Sequence, residues 1–483
     1  MNESEPCGPA ASHAALTIRL MLMSQPADGC TLTRGEDGFY QYAIFSADGR
    51  KVPSGYRVGD KVPQTVLGES RNVPYPILEA NAREKRMEIG RRKASKARAE
   101  ALRPLWRATR SSDDVVRKNC LVVLVQFPDL PFQTDTRQQD FTDLLTLEGY
   151  SKGGATGSAL DYFNSQFNGA FLFNFTVTGV VTVSKNHDYY GSNDPDNYDN
   201  DAHPEEIVEE ACRLLDPEID FSQFDDDGDG EVDNVFVIVA GRSEAEGGDS
   251  DCIWPHQWYL PGLLVLDGKK IGSYAMSTEL SVQGRRNNGQ LIWGMAQIGT
   301  FCHEYSHTLG LDDLYDTDGE GSGGTADAMW FQTDLMDGGG YNNYGKTPPE
   351  YNAVNRAVLG IGQPEEMTAG PCTLEPVGEN GRYIVCTNPA NEDEFFLFEC
   401  RRQTGWDTYI GGSGLAIYHV DMSGNMAGFS DDALKDVTAL YRWQYNEVNC
   451  NPDHQCADMI ETVRGAAEPK RSGDDVLYFD IDL

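Results

Sequence analysis

Apolar and polar residues alternate along this 483-residue chain in patterns that predict both strands and helices. Continuous or every-second apolar residues, typical of strands, occupy residues 120–127, 171–183, 235–241, 394–402 and 413–421. Apolar residues three and four positions apart, typical of helices, occupy residues 157–167, 203–216 and 348–360. The polar segment 186–201 is predicted to be a loop. The mixture indicates an α+β fold.

Helical spacing also continues through residues 298–309. The apolar face of this helix consists of Ile298, Phe301, Cys302, Tyr305 and Leu309. Because successive helical residues turn by about 100°, His303 and His307 lie together on the opposite face, with Glu304 beside them. We expect Cys302 to be a packed thiol rather than a ligand, since it falls on the buried face.

Two imidazoles four residues apart on one helix face can bind a single metal ion. Zinc with three protein ligands keeps a fourth position for water, and it lowers the pKa of that water to about 7. Glu304 stands next to the pair, so we expect it to take the proton as the water attacks a carbonyl. The pattern HExxH is the arrangement found in zinc peptidases.

The residues after this helix offer a third ligand. Gly310 stands three positions past His307, where glycine can end a helix in a left-handed turn. The chain can then reverse and present Asp313. The pattern HExxHxxGxxD is similar to the metzincin motif, with Asp in place of the third His. Glu350, on a later predicted helix, is the alternative third ligand.

Four further positions are candidates for a cleft around the metal. Met336, in the segment TDLMDGGG, is placed like the methionine beneath a metzincin zinc site, and a core methionine in a turn is a compatible interpretation. Tyr341 or Tyr344 could donate a hydrogen bond to a developing oxyanion, and their spacing does not choose between them. His256 is a weaker candidate, because a histidine between tryptophans is more often packed at a sheet edge.

An acidic segment before residues 235–241 is a candidate calcium site. Its carboxylates stand at alternate positions around a glycine-assisted bend, at Asp225, Asp227, Asp229, Glu231 and Asp233. Calcium prefers oxygen ligands, and this spacing resembles the first nine positions of an EF-hand loop. Phe236 replaces the glutamate at the twelfth position of such a loop, so a solvated acidic turn is the alternative.

Composition limits the class of protein. The formal net charge of −37 argues against nucleic-acid binding. It favours a soluble protein, and an extracellular location is a further interpretation of the same charge. The sequence lacks the run of about 18 apolar residues that a membrane span needs, and its first residues lack the basic segment of a signal peptide. Of the eleven cysteines, Cys450 and Cys456 are close enough for a local disulfide in an oxidising compartment.

Several segments resemble the immune inhibitor A family of secreted bacterial metallopeptidases. They occur in the family's order and span residues 120–421: CLVVLVQFPD, GATGSALDYF, FDDDGDGEVDNVFVIVAG, IWPHQW, GTFCHEYSHTLGLDDLYDTD, DLMDGG and GSGLAIYHVD. The resemblance implies a zincin-like catalytic domain, a zinc cofactor, structural calcium and proteolysis outside the cell. The chain departs from the family in residues 1–29, which lack the export signal, and in a shortened C-terminus.

The N-terminal part is expected to keep the enzyme latent. Residues 1–70 are predicted to form strands and turns similar to the family's propeptide. Residues 79–110 are predicted to form a basic helical linker, whereas the remainder of the chain that follows is acidic. We expect residues 1–112 to cover the cleft until a protease cuts within residues 103–118. Candidates for a group that blocks the metal are Cys30 and Asp60. Steric blocking and an attached folding domain are the alternatives.

These observations predict a secreted or cell-surface zinc endopeptidase that acts on proteins or peptides. His303, His307 and Asp313 bind the metal. Glu304 acts as general base and later as proton donor. The predicted domains are a propeptide-like region (1–112), a zincin (metzincin-like) catalytic domain (113–365) and a β-rich C-terminal domain (366–483). The alternatives are a calcium-stabilised surface or adhesion protein with an idle site, and a zinc enzyme acting on other substrates.

Overall fold

The computed structural model describes residues 32–34, 40–45, 51–57, 60–63, 65–66, 116–133, 137–194, 197–319, 321–431 and 435–461. The chain divides into two compact units, residues 1–89 with 432–435 and residues 90–431 with 436–483. The predictions for the basic helix at 79–110, for Cys30 and for residues 103–115 of the cleavage region fall outside the described residues.

The first unit contains a small antiparallel sheet. Its strands, in the order β1-β2-β3, are β1 (Leu32–Arg34), β2 (Tyr40–Phe45) and β3 (Lys51–Arg57). Tyr42 is buried against Tyr56 and Val62. The exposed Asp60 accepts a hydrogen bond from the backbone amide of Arg57 at 2.8 Å. Short strands are therefore present as predicted, and the blocking role of Asp60 stays a prediction.

Strands and helices follow one another from residue 116 onward. The strands are β4 (Val116–Gln126), β5 (Phe171–Thr182), β6 (Asn193–Asp194), β7 (Asn197–Asp201), β8 (Glu231–Val232), β9 (Val235–Arg242), β10 (His256–Leu266), β11 (Lys269–Arg285), β12 (Leu291–Met295), β13 (Gln363–Glu366), β14 (Arg382–Asn388), β15 (Asn391–Arg401), β16 (Gly414–Asp421), β17 (Met426–Ser430), β18 (Lys435–Thr438) and β19 (Ala457–Met459). The helices are α1 (Arg137–Thr146), α2 (Ala159–Phe167), α3 (His187–Gly191), α4 (Pro204–Leu215), α5 (Ile298–Thr308), α6 (Ala353–Leu359), α7 (Val377–Asn380) and α8 (Ala439–Gln444).

The central sheet has the strand order β10-β11-β9-β4-β5. Strands β5, β4, β9 and β11 run parallel, and β10 pairs with β11 in the antiparallel direction. The hairpin partner β12 extends the far end of β11 and leads directly into α5. The predicted mixture of strands and helices is confirmed, although this sheet is mostly parallel.

Helices cover both faces of the central sheet, which explains why its inner strands β4 and β9 carry continuous apolar runs without alternation. In β4, Leu121, Val123 and Val125 belong to the buried cluster that includes α4. Val122 and Leu124 belong to the buried cluster on the other face, which includes α2 and α5. Helix α5 therefore packs against one face of the central sheet.

Local signals set the ends of the helices. Ser158 caps α2 as predicted, because its side chain accepts from Asp161 N while the Asp161 carboxylate accepts from Ser158 N. Helix α6 begins only after Asn352, whose side chain caps it, so the predicted start at residue 348 is wrong. The amides of Glu350 and Tyr351 bond instead to distant side chains, which keeps this stretch extended.

The segment at residues 186–201 is not the plain loop that its polarity predicted. It contains the short helix α3 and the two-stranded pair β6-β7. Tyr190 is buried within this segment, and His187 donates its backbone amide to Asp129 at 3.0 Å. Tertiary contacts therefore order a stretch that lacks an apolar pattern.

A second sheet follows α6 with the strand order β13-β14-β15-β16-β19. Strands β15 and β16 confirm the two strands predicted in this region. Tyr383, Tyr418 and Trp443 from this part of the chain belong to the same buried cluster as α5 and α6. The boundary at residue 366 stays a prediction, because this sheet and the preceding helices share one core.

Cys450 and Cys456 are both free, so the predicted local disulfide is wrong. The Cys450 sulfur lies 3.1 Å from Thr317 Oγ1, whereas Cys456 is buried within the large apolar cluster. The two thiols therefore have different neighbours. Separately, none of the helices in the described ranges is both long and apolar enough to cross a membrane.

Candidate metal centre

Helix α5 turns two imidazoles away from the sheet because its opposite face is packed in the core. Phe301 packs against Phe236 with ring centroids 4.4 Å apart, and Tyr305 packs against Phe163 at 5.2 Å. Cys302 is fully buried on the same face, as predicted. These contacts fix the rotation of α5 about its own axis and hence the direction of His303 and His307.

The end of α5 also follows the prediction. Gly310 has φ +109°, a left-handed conformation that favours glycine. Leu311 N donates to Ser306 O at 3.2 Å and Gly310 N to His307 O at 3.0 Å, which closes the last turn. The chain then reverses and brings Asp313 back beside the helix.

Three donor atoms converge beside α5. Asp313 Oδ1 lies 3.1 Å from His303 Nε2 and 3.3 Å from His307 Nε2. Zinc binds imidazole nitrogen at about 2.0–2.1 Å and carboxylate oxygen at about 2.0–2.2 Å, so a cation fits among three atoms at such separations. The structure therefore brings Asp313 to the two imidazoles and supports a metal-binding donor set.

Each imidazole is held by a backbone carbonyl on its other nitrogen. His303 Nδ1 donates to Leu335 O at 2.8 Å, and His307 Nδ1 donates to Leu311 O at 2.8 Å. Such bonds fix the ring orientation and the tautomer of metal-binding histidines. Both Nε2 atoms are thereby left free to face Asp313.

The charges at this site depend strongly on one another. Burial alone would lower the pKa of His303, but the hydrogen bond and charge of Asp313, with the charge of Glu304, raise it to about 9. Burial would raise the pKa of Asp313, but the two imidazoles hold it well below its usual range. A buried carboxylate of this kind requires positive charge beside it.

Glu304 lies beside the same two imidazoles. A carboxylate oxygen of Glu304 and one ring nitrogen from each of His303 and His307 lie within 4.8 Å of one another. The side chain is almost fully buried, and burial raises the pKa of Glu304, whereas the imidazoles act in the opposite direction. The site therefore combines three donors with an adjacent shielded carboxylate.

A buried methionine turn lies beneath the site. Met336 is fully buried, its amide donates to Asp334 Oδ1 at 2.6 Å, and its carbonyl accepts from Leu314 N at 2.8 Å. The turn also supplies Leu335 O to His303. The loop after the turn approaches α5 so closely that a Cβ on Gly299 would overlap Gly340 O. The turn therefore joins α5 to the segment that carries Asp313.

Asp334 fixes the turn from inside the core. Its Oδ2 atom accepts hydrogen bonds from Asn352 Nδ2 at 2.5 Å and from Asn355 Nδ2 at 2.6 Å. Burial raises the pKa of Asp334 to about 6, and its hydrogen bonds act in the opposite direction. The N-terminus of α6 therefore braces the methionine turn.

Two tyrosines lie in the electrostatic field of the site. Burial raises the pKa of Tyr341, and the carboxylates of Glu246, Glu304 and Asp313 raise it further. The charge of Asp313 is the largest cause that raises the pKa of Tyr315, ahead of burial. Tyr344 is half-exposed with φ +58°. Tyr341 and Tyr315 are 44% and 40% exposed, so exposure does not choose among the three tyrosines, and Tyr315 is a further candidate.

Comparison with known proteins gives this site a family. Residues 108–359, over half of the chain, match the family model described as the catalytic domain of immune inhibitor A peptidase M6. The chain belongs to the immune inhibitor A peptidase M6 family. The matched residues contain α5, Asp313 and Met336, and the resemblance that the sequence motifs indicated is confirmed.

Two named relatives of this M6 chain are bacterial proteins. Pre-pro-metalloprotease PrtV of Vibrio cholerae (strain M66-2) is 29% identical over 243 residues, which cover 42% of this chain and 25% of that protein. Immune inhibitor A of Bacillus thuringiensis subsp. alesti is 26% identical over 284 residues, which cover 50% of this chain and 39% of that protein. The chain thus spans well under half the length of either relative.

Two weaker candidates in this M6 domain have partners other than the three donor atoms beside α5. Glu350 is buried 3.5 Å from the Arg356 guanidinium, and it stands next to Gly378 of the second sheet region. This placement contradicts its role as the alternative ligand. His256 bonds through Nδ1 to Trp254 O at 2.7 Å and through Nε2 to Tyr274 at 3.2 Å. It is therefore packed at the edge strand.

The acidic segment separates into two parts. Carboxylate oxygens of Asp225, Asp227 and Asp229 lie within 4.8 Å of one another. Glu231 turns to Lys270, and Asp233 pairs with Lys118 at 2.9 Å. Only the first three predicted calcium ligands are therefore brought together.

Lysine and backbone amides already contact these three carboxylates. Asp225 pairs with Lys269 at 2.6 Å and accepts from Gly228 N at 2.8 Å. Asp227 accepts from Asp229 N at 3.0 Å, and Asp229 accepts from Glu231 N at 2.8 Å. A calcium ion would have to use the remaining oxygen lone pairs.

Sequence reasoning missed two residues beside the metal centre. Tyr315 follows the motif directly, and the LYD after Asp313 was the available signal for it. Asn446 lies 133 positions beyond Asp313, and its side chain contacts the Asp313 carboxylate. No local pattern links residues so far apart, so the fold was needed to find Asn446.

Proposed function

We propose that this chain is a zinc-dependent endopeptidase that hydrolyses peptide bonds in proteins. The observation that carries the proposal is the convergence of Asp313 Oδ1 on two imidazole nitrogens at 3.1 and 3.3 Å. Membership of the peptidase M6 family supports the same reaction. The idle-site alternative is not favoured, because Glu304 stands beside the complete donor set.

His303, His307 and Asp313 would hold the zinc ion. When bound, zinc polarises a water and the substrate carbonyl and stabilises the negative charge of the transition state. The chain prepares for this by fixing each donor: two backbone carbonyls hold the imidazoles, and the methionine turn holds the loop behind them. Little reorganisation is then needed during the reaction.

Glu304 moves the proton in this proposal. Its carboxylate takes a proton from the attacking water and later gives it to the nitrogen of the leaving amine. Glu304 is only 5% exposed, so bulk water is largely kept from its carboxylate. A tyrosine phenol would donate a hydrogen bond to the developing oxyanion, and the candidates are Tyr341, Tyr344 and Tyr315.

The catalytic unit fits a zincin (metzincin-like) domain. A mostly parallel sheet with one antiparallel edge strand, a helix carrying HExxHxxGxxD and a buried methionine turn support this proposal. Membership of the peptidase M6 family supports extended segments of proteins as substrates. We assign proteins and peptides as substrates on this basis, and we place the enzyme outside the cell or at its surface.

A chelation experiment tests the reaction. The purified chain is incubated with a mixed protein substrate, with and without a strong zinc chelator, while calcium is kept in excess. Cleavage should stop when zinc is removed and return when zinc is added back in stoichiometric amount. Cleavage that continues in the zinc-free protein would contradict the proposal.

Residues 1–112 would act as a propeptide in this scheme. Arg117 and Lys118 lie within β4, so the proposed cleavage region contracts to residues 103–115. A chain nicked there should hydrolyse peptides faster than the intact chain. The control replaces Arg107 and Arg110 by glutamine, which removes trypsin-like sites ahead of β4 and leaves the donor residues unchanged. Equal activity of intact and nicked chains would make the segment an ordinary domain.

A further inference from the structure

The carboxylate of Asp313 is held by a side chain that lies outside the matched family region. Asn446 Nδ2 donates to Asp313 Oδ2 at 2.6 Å, and Asp313 N donates to Asn446 Oδ1 at 2.8 Å. One amide therefore grips both the side chain and the backbone of Asp313. The family match ends at residue 359, well before this residue.

The two oxygens of Asp313 consequently have separate partners. Oδ1 faces His303 and His307, whereas Oδ2 is occupied by the Asn446 amide. Rotation of the carboxylate would break a short hydrogen bond to a charged acceptor, and such bonds are stronger than those between neutral groups. The arrangement presents one chosen oxygen to the metal position.

The backbone of Asn446 does not by itself explain why an asparagine stands there. Asn446 has φ +58° just after α8, and Glu447 N donates to Arg442 O at 2.8 Å across it. This is the helix-ending geometry in which glycine is preferred and asparagine is tolerated. The side-chain amide therefore needs another reason, and its two bonds to Asp313 supply one.

The segment that carries Asn446 is firmly anchored. Thr317 Oγ1 donates to Asn446 O at 2.8 Å, and Asn449 Nδ2 donates to Leu314 O at 2.9 Å. Trp443, which is almost fully buried, donates its indole N–H to Asp421 O at 2.9 Å. Hydrogen bonds between residues 313–317 and residues 446–449 thus hold the two segments together at several positions.

We propose that Asn446 is a positioning residue that holds Asp313 as a single-oxygen zinc ligand, so that metal affinity depends on the C-terminal part of the chain. The proposal rests on the proposed function, because it assigns Asp313 to zinc. Under this proposal, the region after residue 366 contributes to metal binding through Asn446.

The variant that separates the two roles of this residue is Asn446→Gly. Glycine keeps the left-handed backbone and removes the amide. We expect the zinc affinity, measured by competition with a chromogenic chelator, to fall about 10–100-fold, as is typical when a partner of a metal ligand is lost. The melting temperature of the zinc-free variant should stay within a few degrees of the parent.

Asn451→Ala is the matched control, since Asn451 lies in the same segment and its side chain bonds to Ala427 O and Asp453 N rather than to Asp313. Its zinc affinity should equal that of the parent. An Asn446→Gly protein with parental zinc affinity would overturn the proposal. A parent that neither binds zinc nor cleaves peptides would instead overturn the proposed function.

A structure of the zinc-loaded parent gives a second test that does not depend on any variant. Asn446 Nδ2 should still donate to Asp313 Oδ2, with Oδ1 alone on zinc. An Asp313 carboxylate that binds zinc through both oxygens and has left Asn446 would refute the positioning role, even if Asn446→Gly failed to fold.

Discussion

The metal centre and the acidic segment at residues 225–233 both gather carboxylates, but they balance the charge in different ways. At the metal centre, Asp313 faces two imidazoles, whose positive charge depends on protonation. In the acidic segment, Lys118, Lys269 and Lys270 each pair with a carboxylate. Three lysines thus offset part of the negative charge of the carboxylates in this second region.

The difference also extends to burial. Asp313 is 6% exposed and Glu304 is 5% exposed, whereas Asp227 and Asp229 lie at the surface. A buried carboxylate whose only nearby cationic groups are titratable imidazoles favours a bound metal ion. Surface carboxylates are hydrated, and several of those in the acidic segment pair with lysine. We therefore expect metal binding to decide the activity of the first region and only to adjust the stability of the second.

The largest effect should come from Glu304→Gln. This change keeps the size of the side chain and removes the group that takes the proton, so peptide hydrolysis should fall by about 10²–10⁴-fold. The zinc content of the purified protein, measured by elemental mass spectrometry, should not change. The matched substitution in the other region, Glu231→Gln, should leave hydrolysis at the parental rate. Retained activity in a zinc-loaded Glu304→Gln protein would disprove the role of Glu304.

Asp313→Ala should produce the next largest effect. Loss of a direct ligand should weaken zinc binding by more than the about 10–100-fold expected for loss of a supporting partner. Competition with a chelator measures this, and Asp312→Asn serves as the neighbouring control with parental affinity expected. A zinc-loaded structure in which the Asp313 carboxylate lies well beyond about 2.2 Å from the metal would contradict the assignment.

The two regions also differ in how far the sequence predicts them. The donors His303, His307 and Asp313 lie within eleven consecutive residues, and helix geometry plus one glycine turn is enough to bring them together. The lysine partners of the acidic segment come from β4 and β11, far along the chain. Spacing within residues 225–233 therefore suggested five calcium ligands, while only three converge.

The fold was predictable for similar reasons. Apolar strands and helices with clear caps, such as α2 after Ser158, follow from local pattern alone. The start of α6 and the order within residues 186–201 depend on bonds to distant groups, such as Tyr351 N to Gln166. The support of Asp313 by Asn446 depends on the same kind of long-range contact.

Calcium should have a moderate effect, confined to stability. If Asp225, Asp227 and Asp229 bind calcium in the folded state only, a concentration of 100 times the dissociation constant stabilises the protein by about 2.7 kcal/mol. The melting temperature should rise by several degrees in calorimetry with zinc saturating. The double variant Asp227→Ala, Asp229→Ala should lose this rise. An unchanged melting temperature in the parent would contradict calcium binding at these three carboxylates.

The smallest effect should come from replacing a lysine. This replacement tests directly whether lysine offsets the carboxylate charge in the acidic segment. Lys269 pairs with Asp225, one of the three converging carboxylates, whereas Lys118 pairs with Asp233, which lies outside that set. If lysine and calcium compete for the same charge, Lys269→Met should raise calcium affinity about fivefold, as expected for one nearby charge in a solvated site. Lys118→Met should change it less. Calcium titration calorimetry at fixed ionic strength measures both, because salt screens such charges. Equal affinities in the parent and both variants would show that the lysines do not set the charge that calcium meets.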